Sequence, residues 1–208
     1  MRPMTINELY DVLCSKKFQD LEHGVLNYNF YIFQYNPADE YEIRRQIKDF
    51  KEKLIRPINF VDILDLNIFD EFCTYLSKKQ FGPNPSYLDY IKNKEKSNPD
   101  GITKLLCAEA LRPDFFKYIH KRIIDHVNID DEMNRPYVFL YGMGDMFPYL
   151  RTNIFMANYE EYNKPNRYKI IIFYPGHKVE GNFRLFDSID DQHNYRATFF
   201  INDYLPSE

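Results

Sequence analysis

The chain has 208 residues, of which 44% are hydrophobic and 28% are charged, and its formal net charge is −4. This length suits one domain, with enough apolar residues for a core that needs neither disulfides nor a metal. The acidic balance argues against a protein that binds nucleic acid on its own, because such proteins are usually basic.

The first part of the chain predicts a helix, a strand and a second helix. Thr5-Ile6-Asn7-Glu8 has the spacing of a capping box and begins the first helix. A β-rich run at residues 29–35 leads into Asn36-Pro37, where Asn36 can cap and Pro37 can open the second helix. The apolar residues of that second helix recur on one face: Ile43, Ile47, Phe50 and Leu54.

A second strand is predicted at residues 60–66 and a helix at about 69–79. Asp62 and Asp65 interrupt the apolar run of the strand, so we expect it to be partly exposed. Residues from about 80 to 130 are predicted as a helical and loop insertion. Polar loops surround a short helix in its first part, and a longer helical region over residues 102–127 follows, interrupted or kinked near Pro113.

The last part predicts three more strands, at residues 137–141, 169–174 and 198–201, with a helix at about 148–160. Strands that alternate with helices predict a single α/β domain. Its sheet is expected to be mostly parallel and five-stranded, in a three-layer Rossmann-like or P-loop-like arrangement. Ligands of such sheets bind beyond the carboxyl ends of the strands. Three turns are expected to meet there: residues 35–39, 142–145 and 174–181.

Two glycine motifs at this edge match nucleotide-binding fingerprints only in part. Gly142-Met143-Gly144 lacks the third glycine of a dinucleotide loop, because Phe147 stands at its position. Gly176 and Gly181 have P-loop spacing, but Asn182 and Phe183 replace the lysine and the hydroxyl residue. We expect positive φ at one or both glycines of the first motif. The second is expected to be a structural clasp over the sheet edge, without a functional P-loop.

No other pattern predicts catalysis or metal binding. Asp62, Asp65 and Asp145 could in principle form a metal site, but Asp62 and Asp65 point to opposite faces of a regular strand. The five histidines have no ligand spacing. We interpret the cysteines, which lie far apart among apolar residues, as small buried hydrophobic side chains of a protein from a reducing cytosol: Cys14, Cys73 and Cys107. No catalytic residue, metal or cofactor is predicted.

Three arginines near the expected edge turns or in the closing segment lie among aromatic residues: Arg151, Arg184 and Arg196. Each can stack on a ring, hold an anion or form an internal ion pair, and the pattern leaves these alternatives open. The candidate binding or structural surface therefore consists of Gly142, Gly144, Asp145, Arg151, Tyr174, Gly176, Gly181, Arg184, Tyr195 and Arg196.

Three segments resemble the BrxB family of bacterial BREX phage-defence systems. The first is residues 30–37 with Glu40 and Ile43-Arg44, and the second is residues 139–144 with 148–151. The third, which is the most specific, is residues 173–176 with Gly181, Leu185-Phe186 and Tyr195-Arg196-Ala197. The resemblance implies a system that restricts phage and methylates host DNA. Its other proteins include a methyltransferase, large ATPases and a PglZ-type phosphatase-like protein. The family offers no catalytic residues to transfer.

We therefore expect a non-catalytic adaptor that binds another BREX protein. The PglZ-like protein is the leading candidate partner and an ATPase is the second. A homodimer is the default expectation for the assembly of the chain itself. The alternative is a degenerate nucleotide- or nucleic-acid-binding module at the sheet edge near Gly142, Gly176 and Arg184. Without a signal peptide or an apolar run of 18 residues, a cytoplasmic location away from the membrane is expected. The basic clusters Arg44-Arg45 and 117–122 have acidic neighbours and are interpreted as solvated helix faces.

Overall fold

A computed structural model describes residues 4–19, 30–56, 61–127, 136–163, 167–179, 182–191 and 198–199. Over these residues the protein is an α/β fold in which helices flank a mixed β-sheet. The strands are β1 (Phe30–Tyr35), β2 (Ile63–Asn67), β3 (Tyr137–Tyr141), β4 (Lys169–Val179), β5 (Asn182–Leu185), β6 (Ile189–Asp191) and β7 (Thr198–Phe199). The helices are α1 (Ile6–Cys14), α2 (Lys16–Gln19), α3 (Glu40–Leu54), α4 (Ile68–Ser77), α5 (Tyr87–Glu95), α6 (Pro99–Ala110), α7 (Pro113–Val127) and α8 (Thr152–Tyr159). In the described ranges, no helix combines the length and apolar character needed to cross a membrane.

The sheet contains parallel and antiparallel pairs. Its main path runs β2-β3-β4-β1-β7, and each pair along it is parallel. β5 pairs with the end of β4, and β6 pairs with β5, both in antiparallel orientation. The five predicted strands correspond to the main path, but β5 and β6 were not predicted. The expected five strands are therefore corrected to seven among the described residues, in a mixed sheet in which four of the six strand pairs are parallel, and the Rossmann-like arrangement stays a prediction.

The core lies on both faces of the sheet. Successive side chains of a strand point to opposite faces, so Phe30 and Ile32 of β1 pack with helices α4 to α8. Tyr31 and Phe33 of the same strand pack on the other side with α1 and α3. Burial of apolar surface on both faces is the main force that holds the helices to the sheet.

Two predicted helix starts are confirmed. The capping box of Thr5 and Glu8 is formed at the start of α1. The side chain of Asn36 accepts a hydrogen bond from the backbone N–H of Ala38 at 3.0 Å, and Pro37 opens a short 3-10 turn that runs into α3. These local signals direct the chain from β1 to α3 within a few residues.

The region between β2 and β3 is more helical than predicted. Residues after Lys92 were expected to form loops, but Asn98 caps α6 by accepting from the N–H of Gly101 at 3.1 Å. The predicted interruption near Pro113 is confirmed: α6 ends at Ala110 and Pro113 begins α7, because proline fits the first helical turn, where its missing N–H has no partner. The prediction for α8 was also too early, since this helix begins at Thr152 and not near residue 148.

β4 continues past the point where the sequence predicted its end. It was expected to stop at Pro175-Gly176, but it runs to Val179, and its last residues pair with β5. Gly176 permits this pairing because its φ is +142°, and a Cβ there would lie 1.9 Å from the carbonyl oxygen of Arg184. Residues 174–179 are therefore strand and not the expected turn. Gly176 therefore lies within a strand that pairs with β5, and not at a turn from a strand into a helix.

We expect Gly176→Ala to lower the free energy of unfolding by roughly 2–4 kcal/mol, because the new methyl group meets a backbone carbonyl. Gly82→Ala is the matched control: Gly82 also has positive φ (+55°), but a Cβ there has nothing within 4 Å. It should cost only about 1 kcal/mol. Urea unfolding followed by circular dichroism measures both values, and equal losses would contradict the role given to the Arg184 contact.

Candidate functional site

The parallel strands end at one edge of the sheet. Tyr35, the last residue of β1, pairs with Pro175 in the middle of β4, and Asn67 of β2 pairs with Tyr141 at the end of β3. We call this region the carboxyl edge and define it as Tyr35, Glu40, Arg44, Asn67 and residues 142–151, 175–179 and 182–190. It is the edge at which the sequence predicted any site to lie.

A chain of four polar side chains crosses the carboxyl edge. The hydroxyl of Tyr35 donates a hydrogen bond to the carboxylate of Glu40. Arg44 donates through Nε to Oε1 of Glu40 at 2.6 Å and through its terminal nitrogen to Oδ2 of Asp145 at 2.5 Å. Since Asp145 follows β3, this chain fastens the turn after β1 and the helix α3 to the loop after β3. Two of the three predicted turns are thus brought together.

Burial and charge fix the protonation of this chain. Tyr35 is only 5% exposed, and burial, followed by the neighbouring Glu40 carboxylate, raises the pKa of its hydroxyl far above the usual range. Burial acts to lower the pKa of Arg44, but the hydrogen bonds to Glu40 and Asp145 outweigh it and raise the pKa above its ordinary value. Tyr35 therefore stays a neutral donor and Arg44 stays charged, which makes the chain a permanent brace.

The glycines after β3 allow close contacts and do not form a dinucleotide loop. Gly142 has a φ of +75°, as predicted for this motif, and a Cβ there would lie 2.4 Å from Oδ1 of Asn67. That oxygen caps α4 by accepting from the N–H groups of Phe69 and Asp70. The chain after Gly142 forms turns before α8 begins, so the two glycines do not open a helix. A Cβ at Gly144 would lie 2.7 Å from the ring of Phe186.

The loop between β5 and β6 holds an exposed aromatic residue in a rare conformation. Phe186 and Asp187 both have left-handed backbones, with φ of 56° and 57°. The N–H of Phe186 donates to the carbonyl of Pro175 at 2.8 Å, and the Asp187 carboxylate accepts from the N–H of His177 at 2.8 Å. Bulky residues seldom adopt positive φ, and surrounding contacts must hold them there. The Phe186 side chain is nevertheless 39% exposed.

Two predicted arginines lie beside this loop, and both are exposed. Nε of Arg184 lies 2.9 Å from Oδ1 of Asp190, so the ion-pair alternative is observed for Arg184. Arg151 reaches the backbone carbonyl of Asp190 at 3.4 Å, and its guanidinium lies 5.8 Å from the centre of the Phe147 ring.

The structure brings together six of the predicted surface residues at the carboxyl edge: Gly142, Gly144, Asp145, Arg151, Gly176 and Arg184. Tyr174 is instead fully buried and packs edge-on against Phe183, with ring centres 5.7 Å apart, so it belongs to the core and not to a binding surface. Three further candidates lie outside the described residues: Gly181, Tyr195 and Arg196.

The three aspartates considered for a metal site have separate partners. Asp62 lies 2.7 Å from Nε2 of His126 in α7, whereas Asp65 pairs with Lys51 in α3, on the other face of the sheet. This confirms that Asp62 and Asp65 point to opposite faces. Asp145 pairs with Arg44.

The three cysteines are free and only half-buried, which corrects their interpretation as buried side chains: Cys14, Cys73 and Cys107. Burial is still the largest cause of the raised pKa of the Cys14 and Cys73 thiols.

Sequence reasoning missed part of this site. Glu40 was noted only as a point of resemblance, and Arg44 was also interpreted as part of a solvated helix face. Their spacing of four residues directly after a strand is nevertheless the signal of a helical ion pair at the carboxyl end of that strand. Phe186 and Asp187 gave no such signal, because aromatic residues rarely have positive φ.

A family model described as "BREX protein BrxB" matches residues 64–200, which is more than half of the chain. The chain belongs to the BrxB family. A curated relative, "BREX protein BrxB" of Bacillus cereus (strain H3081.97), is 28% identical over 176 residues, which cover 83% of each chain. No solved structure matches the chain. The resemblance found in the sequence is thus confirmed, and as a BrxB family member the protein is a BREX component of antiviral defence.

We expect a double-mutant cycle of Arg44→Ala and Asp145→Ala to give a coupling free energy of about 1 kcal/mol, at the upper end for a solvent-screened pair, because both side chains are only partly exposed. The coupling should shrink at 1 M salt. The control is the exposed ion pair of Lys121 and Asp125. Both residues lie on α7, so this pair does not connect two elements of the fold. A coupling for Arg44 and Asp145 no larger than that of the control would contradict the brace.

The raised pKa of Tyr35 predicts a loss of stability in alkali. The stabilising contribution of its hydroxyl is complete below the ordinary tyrosine pKa of about 10 and is lost as the pH rises above it. The difference in free energy of unfolding between wild type and Tyr35→Phe should therefore narrow from pH 10 upward. Tyr41→Phe, at a side chain that is 88% exposed, controls for loss of a surface hydroxyl. A constant difference from pH 7 to 11 for Tyr35→Phe would contradict this account.

Proposed function

We propose that the protein is a non-catalytic adaptor of its BREX system, and that its carboxyl edge binds another BREX protein. One observation carries this proposal: Phe186 is held exposed at positive φ by Pro175 and Gly144, beside the exposed Arg151 and Arg184. Aromatic and arginine side chains dominate the free energy of binding at protein interfaces. Backbone strain concentrates at functional positions.

The rigidity of the carboxyl edge supports the same role. The chain from Tyr35 to Asp145 braces one side of it, and the hydrogen bonds from Phe186 to Pro175 and from His177 to Asp187 fix the other. A surface fixed before binding loses less conformational entropy when the complex forms. All three sequence segments that resemble the family contribute to this edge.

The glycines favour a protein partner over a nucleotide. A phosphate cradle needs open space at its glycines for the ligand. Here Asn67 fills the space at Gly142, and the backbone of Arg184 fills it at Gly176. The PglZ-like protein is the first candidate partner and an ATPase the second, following the family resemblance. A homodimer stays a prediction.

The test is a pull-down of the tagged protein from cells that carry the whole system, at moderate salt. Wild type should recover another BREX protein. Phe186→Asn should reduce the recovery strongly, because loss of a central aromatic contact costs about 2 kcal/mol, or roughly thirtyfold in affinity. Asparagine tolerates positive φ, so this variant keeps the loop conformation.

Leu111→Asn is the matched control, since Leu111 is 46% exposed and lies between α6 and α7, away from the β5–β6 loop. Its recovery should equal that of wild type. The proposal fails if wild type recovers no BREX protein, or if Phe186→Asn recovers as much as the control.

A further inference from the structure

The start of α8 lacks the acidic residue and the side-chain cap that other helices have. In the part of the chain that the structure describes, each other helix of nine or more residues has an acidic side chain in its first turn. Four of them, α1, α4, α5 and α6, also begin with a side chain that accepts a hydrogen bond from the helix. α8 has no acidic residue there, and Arg151 before it forms no side-chain cap. The partial positive charge at the start of α8 is therefore not balanced by its own first turn.

The first three N–H groups of α8 belong to residues 152–154. No acceptor for them lies among the residues for which the structure gives positions, and the first helical bond runs from the N–H of Phe155 to the carbonyl of Arg151 at 2.9 Å. Thr152 is 3% exposed and Asn153 is 8% exposed, so these donors lie largely out of solvent. Buried N–H groups are paired in nearly all cases, which makes this helix start a place for an acceptor from outside the chain.

The side chain of Asn153 is a second and independent observation. Its Oδ1 is buried and has no hydrogen-bond partner within the described ranges. Side chains of a helix lean toward its N-terminus, so this amide lies over the start of α8. Oδ1 could meet a donor, or the amide could turn and place its nitrogen at the buried position to meet an acceptor. The neighbouring N–H groups decide between the two, because they also require an acceptor.

Arg151 adds a full positive charge at the same place. It is exposed and directly precedes α8, while Ile154 is partly exposed, so the helix start can be reached from solvent. The nearby carboxylate of Asp190 is paired with Arg184. Because α8 follows the loop after β3, its start lies at the carboxyl edge, where sheets of this class bind ligands. Arginine and helix N-termini both favour oxyanions.

We propose that the start of α8 binds a phosphate group through the N–H groups of residues 152–154, the amide of Asn153 and the guanidinium of Arg151. A phosphate group has three acceptor oxygens for these donors, whereas a carboxylate has two. For Arg151 this selects the anion alternative that the sequence left open. The site is a helix start and not a glycine cradle, so the filled spaces at Gly142 and Gly176 do not obstruct it. It needs no protein partner and therefore goes beyond the adaptor role.

The experiment is a titration of the full 15N-labelled chain with inorganic phosphate, against chloride and acetate at equal ionic strength and pH, followed by NMR of the backbone amides. The amide signals of residues 152–154 should shift and saturate with phosphate. The amides of Phe69 and Asp70 are the internal control and should not shift, because Asn67 already accepts from them at the start of α4. Acetate should bind more weakly than phosphate.

Two variants test the donors. Arg151→Gln should bind phosphate about fivefold more weakly, the effect of one charge beside a helix N-terminus. Asn153→Asp should bind at least about tenfold more weakly, because its carboxylate occupies the same donors. For the same reason Asn153→Asp should unfold at no lower temperature than wild type in chloride. Asn158→Asp is the matched control, since it makes the same change at an exposed residue near the other end of α8, and its affinity should equal that of wild type.

The proposal is overturned if phosphate does not shift residues 152–154, if acetate binds as tightly as phosphate, or if Arg151→Gln binds as tightly as wild type. Equal losses of affinity in Asn153→Asp and Asn158→Asp would also overturn it. A lower unfolding temperature for Asn153→Asp than for Asn158→Asp would contradict the placement of the amide over the free N–H groups. Phe186→Asn should bind phosphate as wild type does although it loses the BREX partner, which separates this proposal from the adaptor role.

Discussion

The carbonyl oxygen of Arg184 occupies the space in which a side chain at position 176 would begin, and this contact lets β5 lie against the continuation of β4. The position of the β5–β6 loop follows from it, because Phe186 can reach Pro175 and Gly144 only when β5 is this close. Asp145 comes directly after Gly144 and reaches Arg44. The absence of a Cβ at Gly176 therefore allows the contacts that connect the ends of β1 and β3 with the middle of β4. A larger residue at position 176 would collide with the Arg184 carbonyl and force β5 away from β4.

The carboxyl edge is braced and carries an exposed aromatic residue near two arginines, which suits a protein interface. Residues 142–151 belong to this edge, and Sγ of Cys107 in α6 lies 3.9 Å from the carbonyl of Pro148 in that loop. The helices between β2 and β3 therefore also contact the loop that carries Asp145 and Arg151.

Local signals predicted most of the elements on the main path of the sheet. β-branched and aromatic runs gave β1, β3 and β4, and the Asn36-Pro37 start gave the entry to α3, because these signals depend only on neighbours in sequence. β5 and β6 were missed since they are short and form by pairing with β4, a contact that local pattern does not encode. Tyr174 looked like an edge residue because Pro175-Gly176 resembles a strand end. The Arg44–Asp145 pair joins residues 101 positions apart, and only the fold brings them together.

The length of β4 has a mechanical consequence for an adaptor. Its 11 residues span about 36 Å, from buried Lys169 at one edge of the sheet to Val179 beyond the other. Residues 170–172 of this strand have ladder partners on both sides, and the β5–β6 loop is attached to the middle of the strand through the hydrogen bond from Phe186 to Pro175. A partner that docks on Phe186 is then held at a fixed angle to the whole domain, so the protein would set the orientation of its partner as well as its proximity.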